Sequence, residues 1–252
     1  QNISFLNAIP KNGSYDLVII TSPPDFHESN FRQVFELSDF FFIEKPLRVE
    51  KALVKSAHER GKSVKCGYVL RHNPCSLYLK GLISERPIKS ISVSVKSNLG
   101  MNPTNDWRFD LSRGGGCINE LGSHVINLGS FFSDGQHTTV KVNQLSVPRF
   151  SVEFDGSTKQ TLYCAGDWDT DVRKTTYSVL LDGEGVSVQS DLQSVWGSLD
   201  GVEFVWSPRN SGLATGFYLR GIDFALQNKA IADRIYPKSD IEGALFTDHV
   251  LE

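Results

Sequence analysis

Phe42-Ile43-Glu44-Lys45-Pro46 places an ionisable Glu-Lys pair at the end of a run that otherwise reads as a buried strand. Asp39-Phe40-Phe41-Phe42-Ile43 is short, aromatic and β-branched at its end, the composition of a parallel strand covered on both faces. Pro46 has no N–H for the ladder and pushes Lys45 toward extended backbone, so pairing stops there. Lys45 is therefore expected at the carboxyl end of a central strand, where open α/β sheets bind their ligands. From these residues alone it is as well suited to meeting a substrate as to an ordinary strand-end salt bridge with Glu44. A second constellation comprises Asp106-Trp107-Arg108 and the run from Gly114-Gly115-Gly116 through Glu120, His124 and Asn127. Glu120 and His124 are four apart and share one face of a helix. A carboxylate there can orient an imidazole and raise its pKa, which suits proton transfer near neutrality, although a surface Glu-His pair has the same spacing. The glycines suggest a backbone pressed closely against something else. Asn127, one turn beyond His124, could hydrogen-bond a hydroxylated ligand.

Two sets of elements are needed to carry these groups. Tyr15 to Ile20 reads as a buried strand ending at the turn Thr21-Ser22-Pro23-Pro24, followed by a helix over His27 to Leu37 and the Phe-rich strand. A helix over Val49 to Arg60 follows, with Gly61 as its stop, and then a strand over Val64 to Tyr68. Strand, helix, strand, helix, strand is the pattern of a doubly wound parallel sheet. From about Arg71 the pattern changes. A helix over Asn73 to Ser84 precedes Ile88 to Val95, which alternates with period two as a strand with one wet face does. After a helix over Ile118 to Phe132, strands are expected at Val140–Leu145, Thr161–Ala165, Thr176–Leu181 and Val186–Val188. Helices over Phe217 to Gln227 and Ile241 to Leu251 close the chain. The fold expected is α/β: a partial Rossmann sheet in residues 1–70, then an α+β domain over 71–252 with a large, mostly antiparallel open sheet. The connection Phe35 to Phe40 and the joint at Val147-Pro148 look abrupt, as if residues were missing there.

The 252 residues are 40% hydrophobic with a formal net charge of -3. That balance gives no electrostatic case for nucleic acid or an anionic membrane surface. No apolar run approaches the roughly 20 residues that span a bilayer, and QNISFLNAIPKNG lacks a basic start followed by an apolar core. A cytoplasmic protein is expected. Cys66, Cys75, Cys117 and Cys164 have no CxxC spacing and read as reduced, structural thiols, with no metal site visible.

Taken in order, Ser22-Pro23-Pro24-Asp25-Phe26-His27, Glu44-Lys45-Pro46, Gly67-Tyr68-Val69-Leu70-Arg71, Asp106-Trp107-Arg108 and Gly114 to Asn127 resemble the Gfo/Idh/MocA family of NAD(P)-dependent oxidoreductases. The resemblance covers nearly the whole chain. It implies NAD or NADP as cofactor and a sugar, inositol or nucleotide sugar as substrate, with a hydride passing between nicotinamide and a hydroxyl-bearing carbon. Lys45 matches the family lysine that helps a sugar alcohol lose its proton, and His124 matches the acid/base histidine that takes it. Glu120 falls where most members carry aspartate. Ser22, Pro23, Pro24 and His27 match the turn along the cofactor, with Glu44 and Lys45 beside it. Arg71, Trp107, Arg108 and Asn127 are the residues placed on the substrate side. The resemblance also implies a homodimer or homotetramer formed through the open sheet of the second domain.

The chain departs from the family pattern in two ways. The G-x-G-x-x-G turn that seats a pyrophosphate is absent: Gly114-Gly115-Gly116 lies in the wrong domain, and Gly183-Glu184-Gly185 opens no helix. Roughly 60 upstream residues would supply it, so the sequence is expected to be part of a longer protein. Glu120 and Asn127 also stand where aspartates are common. These departures motivate an alternative, a cofactor- or sugar-sensing regulatory protein with the same fold. A third possibility is a glycosidic-bond-cleaving enzyme in which the nicotinamide is used transiently and recycled.

Overall fold

The computed structural model describes residues 8–98, 109–110, 115–133, 137–156, 160–168, 171, 174–209, 219–235 and 239–251. The chain divides into two compact units, Gln1–Gly67 with Tyr236–Leu245, and Tyr68–Ile235 with Phe246–Glu252.

In the first unit, β1 (Val18–Ile20), β2 (Phe40–Ile43) and β3 (Ser63–Cys66) form a parallel sheet in the order β1-β2-β3. Helices α1 (His27–Val34) and α2 (Lys51–Glu59) make the crossovers. All four residues of β2 are buried, as a central parallel strand requires. Phe41 meets Phe31 edge-on at 4.9 Å, and Val54 and Ala57 of α2 are buried. Expected to be buried throughout, β1 instead leaves Ile19 54% exposed, because it is the edge strand of the described sheet. Gly61 ends α2 at φ +75°, a backbone conformation that glycine adopts without a Cβ clash. The abrupt connection from α1 to β2 is closed by a turn, with Leu37 N–H donating to Val34 at 2.8 Å and Tyr15 N–H to Leu37 at 2.8 Å. Lys62 stabilises this amino end of the sheet. Its Nζ donates to the Ser38 carbonyl and the Asp39 carboxylate, each at 2.9 Å, and lies 5.3 Å from the centre of the Phe35 ring.

In the second unit, eight strands run in the order β11-β10-β9-β8-β4-β7-β6-β5. They are β4 (Ile88–Lys96), β5 (His137–Leu145), β6 (Arg149–Gly156), β7 (Thr161–Asp167), β8 (Thr176–Gly183), β9 (Val186–Ser190), β10 (Val195–Leu199) and β11 (Val202–Trp206). Among the described residues β4 and β7 pair in parallel and the other neighbours are antiparallel. Ile91, Val93 and Val95 of β4 are buried, while Ser90, Ser92 and Ser94 alternate with them on the other face. Three strands escape the sequence reading. The joint that looks abrupt in sequence, Val147-Pro148, is a two-residue hairpin loop closed by reciprocal bonds between Ser146 and Arg149 at 2.8 and 3.3 Å. Past it, Phe150, Val152 and Phe154 of β6 alternate into the core. Asp200 and Gly201, with φ +52° and +82°, form the Asp-Gly turn that joins β10 and β11.

Helix α3 (Pro74–Ile83) is capped by Asn73, whose Oδ1 accepts from Cys75 N–H at 2.8 Å and Ser76 N–H at 3.3 Å. Its Nδ2 donates to the Leu192 carbonyl at 3.1 Å and to the buried Asp223 carboxylate of α5 (Leu219–Ala232) at 3.1 Å. One side chain thus fastens three segments. Asn73→Ala is expected to cost about 2–3 kcal/mol, from the lost cap and the donor lost to a buried carboxylate. A lowered urea midpoint with an unchanged slope would check this.

The remaining helices are α4 (Ser123–Phe132) and α6 (Ser239–Leu251). No helix among the described residues is long and apolar enough to cross a membrane, and among them no group of three or more His, Cys, Asp or Glu could hold a metal ion. All four cysteines are buried and unbridged, and burial pushes the thiols of Cys75 and Cys117 up to about 12.

Candidate functional site

The three parallel strands finish level with one another. Ile20, Ile43 and Cys66 are register partners across the sheet. Backbone pairing runs one residue further, from Glu44 N–H to Ile20 and from Gly67 N–H to Ile43, both at 2.9 Å. Thr21-Ser22-Pro23-Pro24 and Glu44-Lys45-Pro46 therefore leave the sheet at the same carboxyl end. Pro24 opens a short 3-10 turn, Pro24–Phe26, held by Phe26 N–H on the Pro23 carbonyl at 2.9 Å. The Lys45-Pro46 peptide is cis.

Glu44 is partly buried, and its Oε2 turns back to accept from the Lys45 amide at 3.2 Å. A Cβ at Gly67 would lie 3.0 Å from that same oxygen, so the glycine makes the space the carboxylate occupies. His27 is wholly buried. Its Nε2 faces the Ser22 carbonyl at 2.8 Å, and its Nδ1 faces the carbonyls of Pro46 at 2.9 Å and Leu47 at 3.2 Å. With both nitrogens turned to the backbone, the ring meets the two turns themselves. Asn30, one turn along α1, donates to Ser22 Oγ at 2.9 Å. Ser22, Pro23, Pro24, His27, Glu44 and Lys45 are thus gathered at one end of the first unit.

In the second unit, Glu120 and His124 stand on a single continuous helical run, but its beginning differs from the regular helix expected. Ile118–Gly122 is a π-helical turn that leads into α4. Close packing accounts for the small residues here. A Cβ on Gly122 would lie 3.0 Å from Ile118 and 3.1 Å from Phe150, and one on Gly129 would lie 2.6 Å from Leu162 of β7. The glycines let the helix lie hard against the sheet, burying Val125, Ile126, Leu128 and Phe132 completely. Glu120 and His124 are partly exposed between those buried positions. They share the side of the helix that the sheet leaves open.

Arg71 and Asn127 are brought together, and both are buried, at 6% and 1% exposed. Arg71 Nε donates to Asn127 Oδ1 and its Nη2 to the Asn127 carbonyl at 3.3 Å. Asn127 Nδ2 in turn donates to Thr247 Oγ1 at 3.3 Å, and the guanidinium lies 5.4 Å from the centre of the Phe131 ring. This pair braces α4 from within. Burial, with the Arg71 charge adding to it, pushes the neighbouring His72 down to about 4, so its ring is neutral at pH 7. Trp107 and Arg108 lie outside the described residues.

The sequence reading missed the roles of Asn30, Gly67 and Thr247. Asn30 carried a local signal, three residues after His27 on one helix face. Thr247 carried none, because its partner is 120 residues away in the chain.

No protein-family model matches the chain, and no curated protein matches it either. Solved structures do. An oxidoreductase domain protein from Kribbella flavida aligns with a TM-score of 0.77 at 15% identity, covering 94% of this chain and 76% of its own. Levoglucosan dehydrogenase, solved with NADH and levoglucosan, aligns at 0.74 and 16% identity over 92% of this chain and 76% of its own. GenD2 from gentamicin A biosynthesis, solved with NAD, aligns at 0.70 and 19% identity over 93% of this chain and 74% of its own. The chain has the fold of these oxidoreductases, a parallel sheet followed by a large, mostly antiparallel one.

Proposed function

We propose that this chain is an NAD(P)-dependent oxidoreductase of the Gfo/Idh/MocA type, acting on the hydroxyl or keto carbon of a sugar, an inositol or a nucleotide sugar. The observation that carries the reading is the level ending of β1, β2 and β3, which sets Ser22-Pro23-Pro24 and Glu44-Lys45-Pro46 on the ligand-binding end of a parallel sheet. The likeness to oxidoreductases solved with NAD or NADH supports it.

The absence of a side chain at Gly67 lets the Glu44 carboxylate lie against the backbone at the carboxyl end of the sheet, where a ligand would meet it. When bound there, a nicotinamide supplies the hydride acceptor or donor. In this reading Ser22, Pro23, Pro24 and Glu44 hold it. The Lys45 ammonium steadies the alkoxide that develops as a substrate hydroxyl loses its proton. His124 receives that proton on a ring nitrogen, and Glu120 fixes the orientation of the ring. Trp107 and Arg108 take the substrate side, while Arg71 and Asn127 act through the helix they brace. The serine-rich face of the eight-stranded sheet, with Tyr163 and Leu180 exposed on it, is the surface through which a second copy would pair.

The test is direct. The full-length gene product is titrated with NADH and NADPH by fluorescence, then offered sugars, inositols and nucleotide sugars while nicotinamide absorbance is followed. Binding with turnover supports the reading. Binding with no turnover on any sugar favours a sensor, product without net absorbance change favours a recycled nicotinamide, and no binding of either cofactor sinks the proposal. Gly67→Ala offers a finer check. The methyl displaces the Glu44 carboxylate, so NADH affinity should fall about fivefold, or about 1 kcal/mol, with the melting temperature nearly unchanged. Wild-type affinity in that variant would remove Glu44 from the cofactor site.

A further inference from the structure

No step of the proposed chemistry employs His27, yet the protein surrounds its ring closely. It is 0% exposed. Two consecutive residues nineteen and twenty positions downstream reach it through the carbonyls of Pro46 and Leu47, at 2.9 and 3.2 Å. The opposite nitrogen reaches back to the Ser22 carbonyl at 2.8 Å. Both ring nitrogens lie within hydrogen-bond reach of backbone carbonyls, and the nitrogen that carries a proton donates to the carbonyl it faces. The imidazole is thus a rigid strut spanning the turn after β1 and the turn after β2.

We propose that His27 is the positioning residue for Lys45, setting where the ammonium stands by holding the peptide unit that follows it. Pro46 cannot donate a ladder bond, so pairing of β2 with its neighbours ends with Glu44 N–H on Ile20 and leaves the next carbonyls to be held by another group. His27 supplies that hold at both Pro46 and Leu47. Asn30, donating to Ser22 Oγ, fixes the other end of the strut from the same helix. A shorter side chain, such as Asn, would not span both turns. Lys45 would then keep its charge and lose its address.

The inference rests on the assignment of Lys45 to proton and charge handling, and its test has one arm that does not. In the full-length gene product carrying His27→Asn, a crystal structure should show the Lys45-Pro46-Leu47 turn displaced relative to β2. A turn that superimposes on the wild type overturns the proposal whatever the protein catalyses. In the kinetic arm, kcat should fall by about a hundredfold, the scale of a misplacement of about 1 Å, while the Kd for NADH changes less than about twofold. A loss of NADH affinity with unchanged kcat overturns it, because the ring would then serve the cofactor. The loss should also vanish in a Lys45→Met background, since residues acting as one unit are not additive, and an additive loss overturns the proposal. Asn30→Ala, which loosens the strut without removing it, should give the same pattern in weaker form and serves if His27→Asn does not fold. Absence of NADH binding by the wild type defeats the functional reading and leaves the structural arm to decide the role of His27.

Discussion

Lys45→Met is expected to yield a folded protein that binds NADH normally and turns over at least about a thousandfold more slowly. The side chain leaves a strand whose four residues are all buried, and methionine keeps nearly the same length and volume, so the sheet has no reason to repack. What disappears is one positive charge at the carboxyl end of that strand. In the proposed reaction the charge matters most when a hydroxyl oxygen becomes an alkoxide, so the loss falls on the transition state more than on the bound substrate. A thousandfold corresponds to about 4 kcal/mol of activation free energy. Steady-state kcat and KM, with NADH affinity measured separately, would distinguish this from a binding defect. A variant within tenfold of wild type would remove Lys45 from the chemistry and return it to the status of a strand-end charge.

Gly129→Val carries the second large effect, and here stability and activity should fall together. Even a single methyl at Gly129 would stand 2.6 Å from Leu162 Cδ1 and 3.2 Å from Cys164 Sγ, and both side chains are fully buried in the sheet beneath. Neither can step aside into a close-packed core without cost. Overpacking of this kind typically costs about 1–3 kcal/mol, and relief comes from lifting α4. The same helix carries His124 and Asn127, so lifting it by about 1 Å would cost on the order of a hundredfold in rate. Chemical denaturation paired with kcat/KM is the measurement. Normal stability with normal rate would show that the helix has slack against the sheet, contrary to the packing seen at Gly122 and Gly129. Leu162→Ala in the same chain should restore part of both losses, because it opens the space the valine needs.

The parallel half was legible because its signals are local. Phe40 to Ile43 reads as a doubly covered strand from composition alone, and Pro46 and Gly61 punctuate the chain where the structure turns. The strand ends were legible for the same reason. The second sheet was legible only in part. β6 is hidden because the joint at Val147-Pro148 looks abrupt, as if residues were missing, when it is the tight turn of a hairpin, and β10 and β11 are hidden although Asp200-Gly201 is a hairpin signal. The glycines near His124 announced a close approach but not its partners, Phe150 and Leu162, which come from strands far along the chain. Arg71 and Asn127 look like ligand-binding residues in sequence. That they bond to each other follows from the packing of α4 on the turn Val69–His72, which no local pattern encodes.

The central place of β4 sets the order in which a growing chain can assemble. Its two neighbours in the sheet are β7 and β8, which begin only at Thr161 and Thr176. Ile91, Val93 and Val95 must therefore wait through synthesis of the whole intervening stretch, on the order of seconds at ribosomal rates, before either flank is covered. The helix bearing His124 emerges in that interval with its bed on β7 not yet made. Non-local pairing of this kind is slow and leaves an apolar strand open to misassociation. The second unit is thus the part of the chain that depends most on protection during biogenesis, and the histidine helix can seat only after β7 has paired.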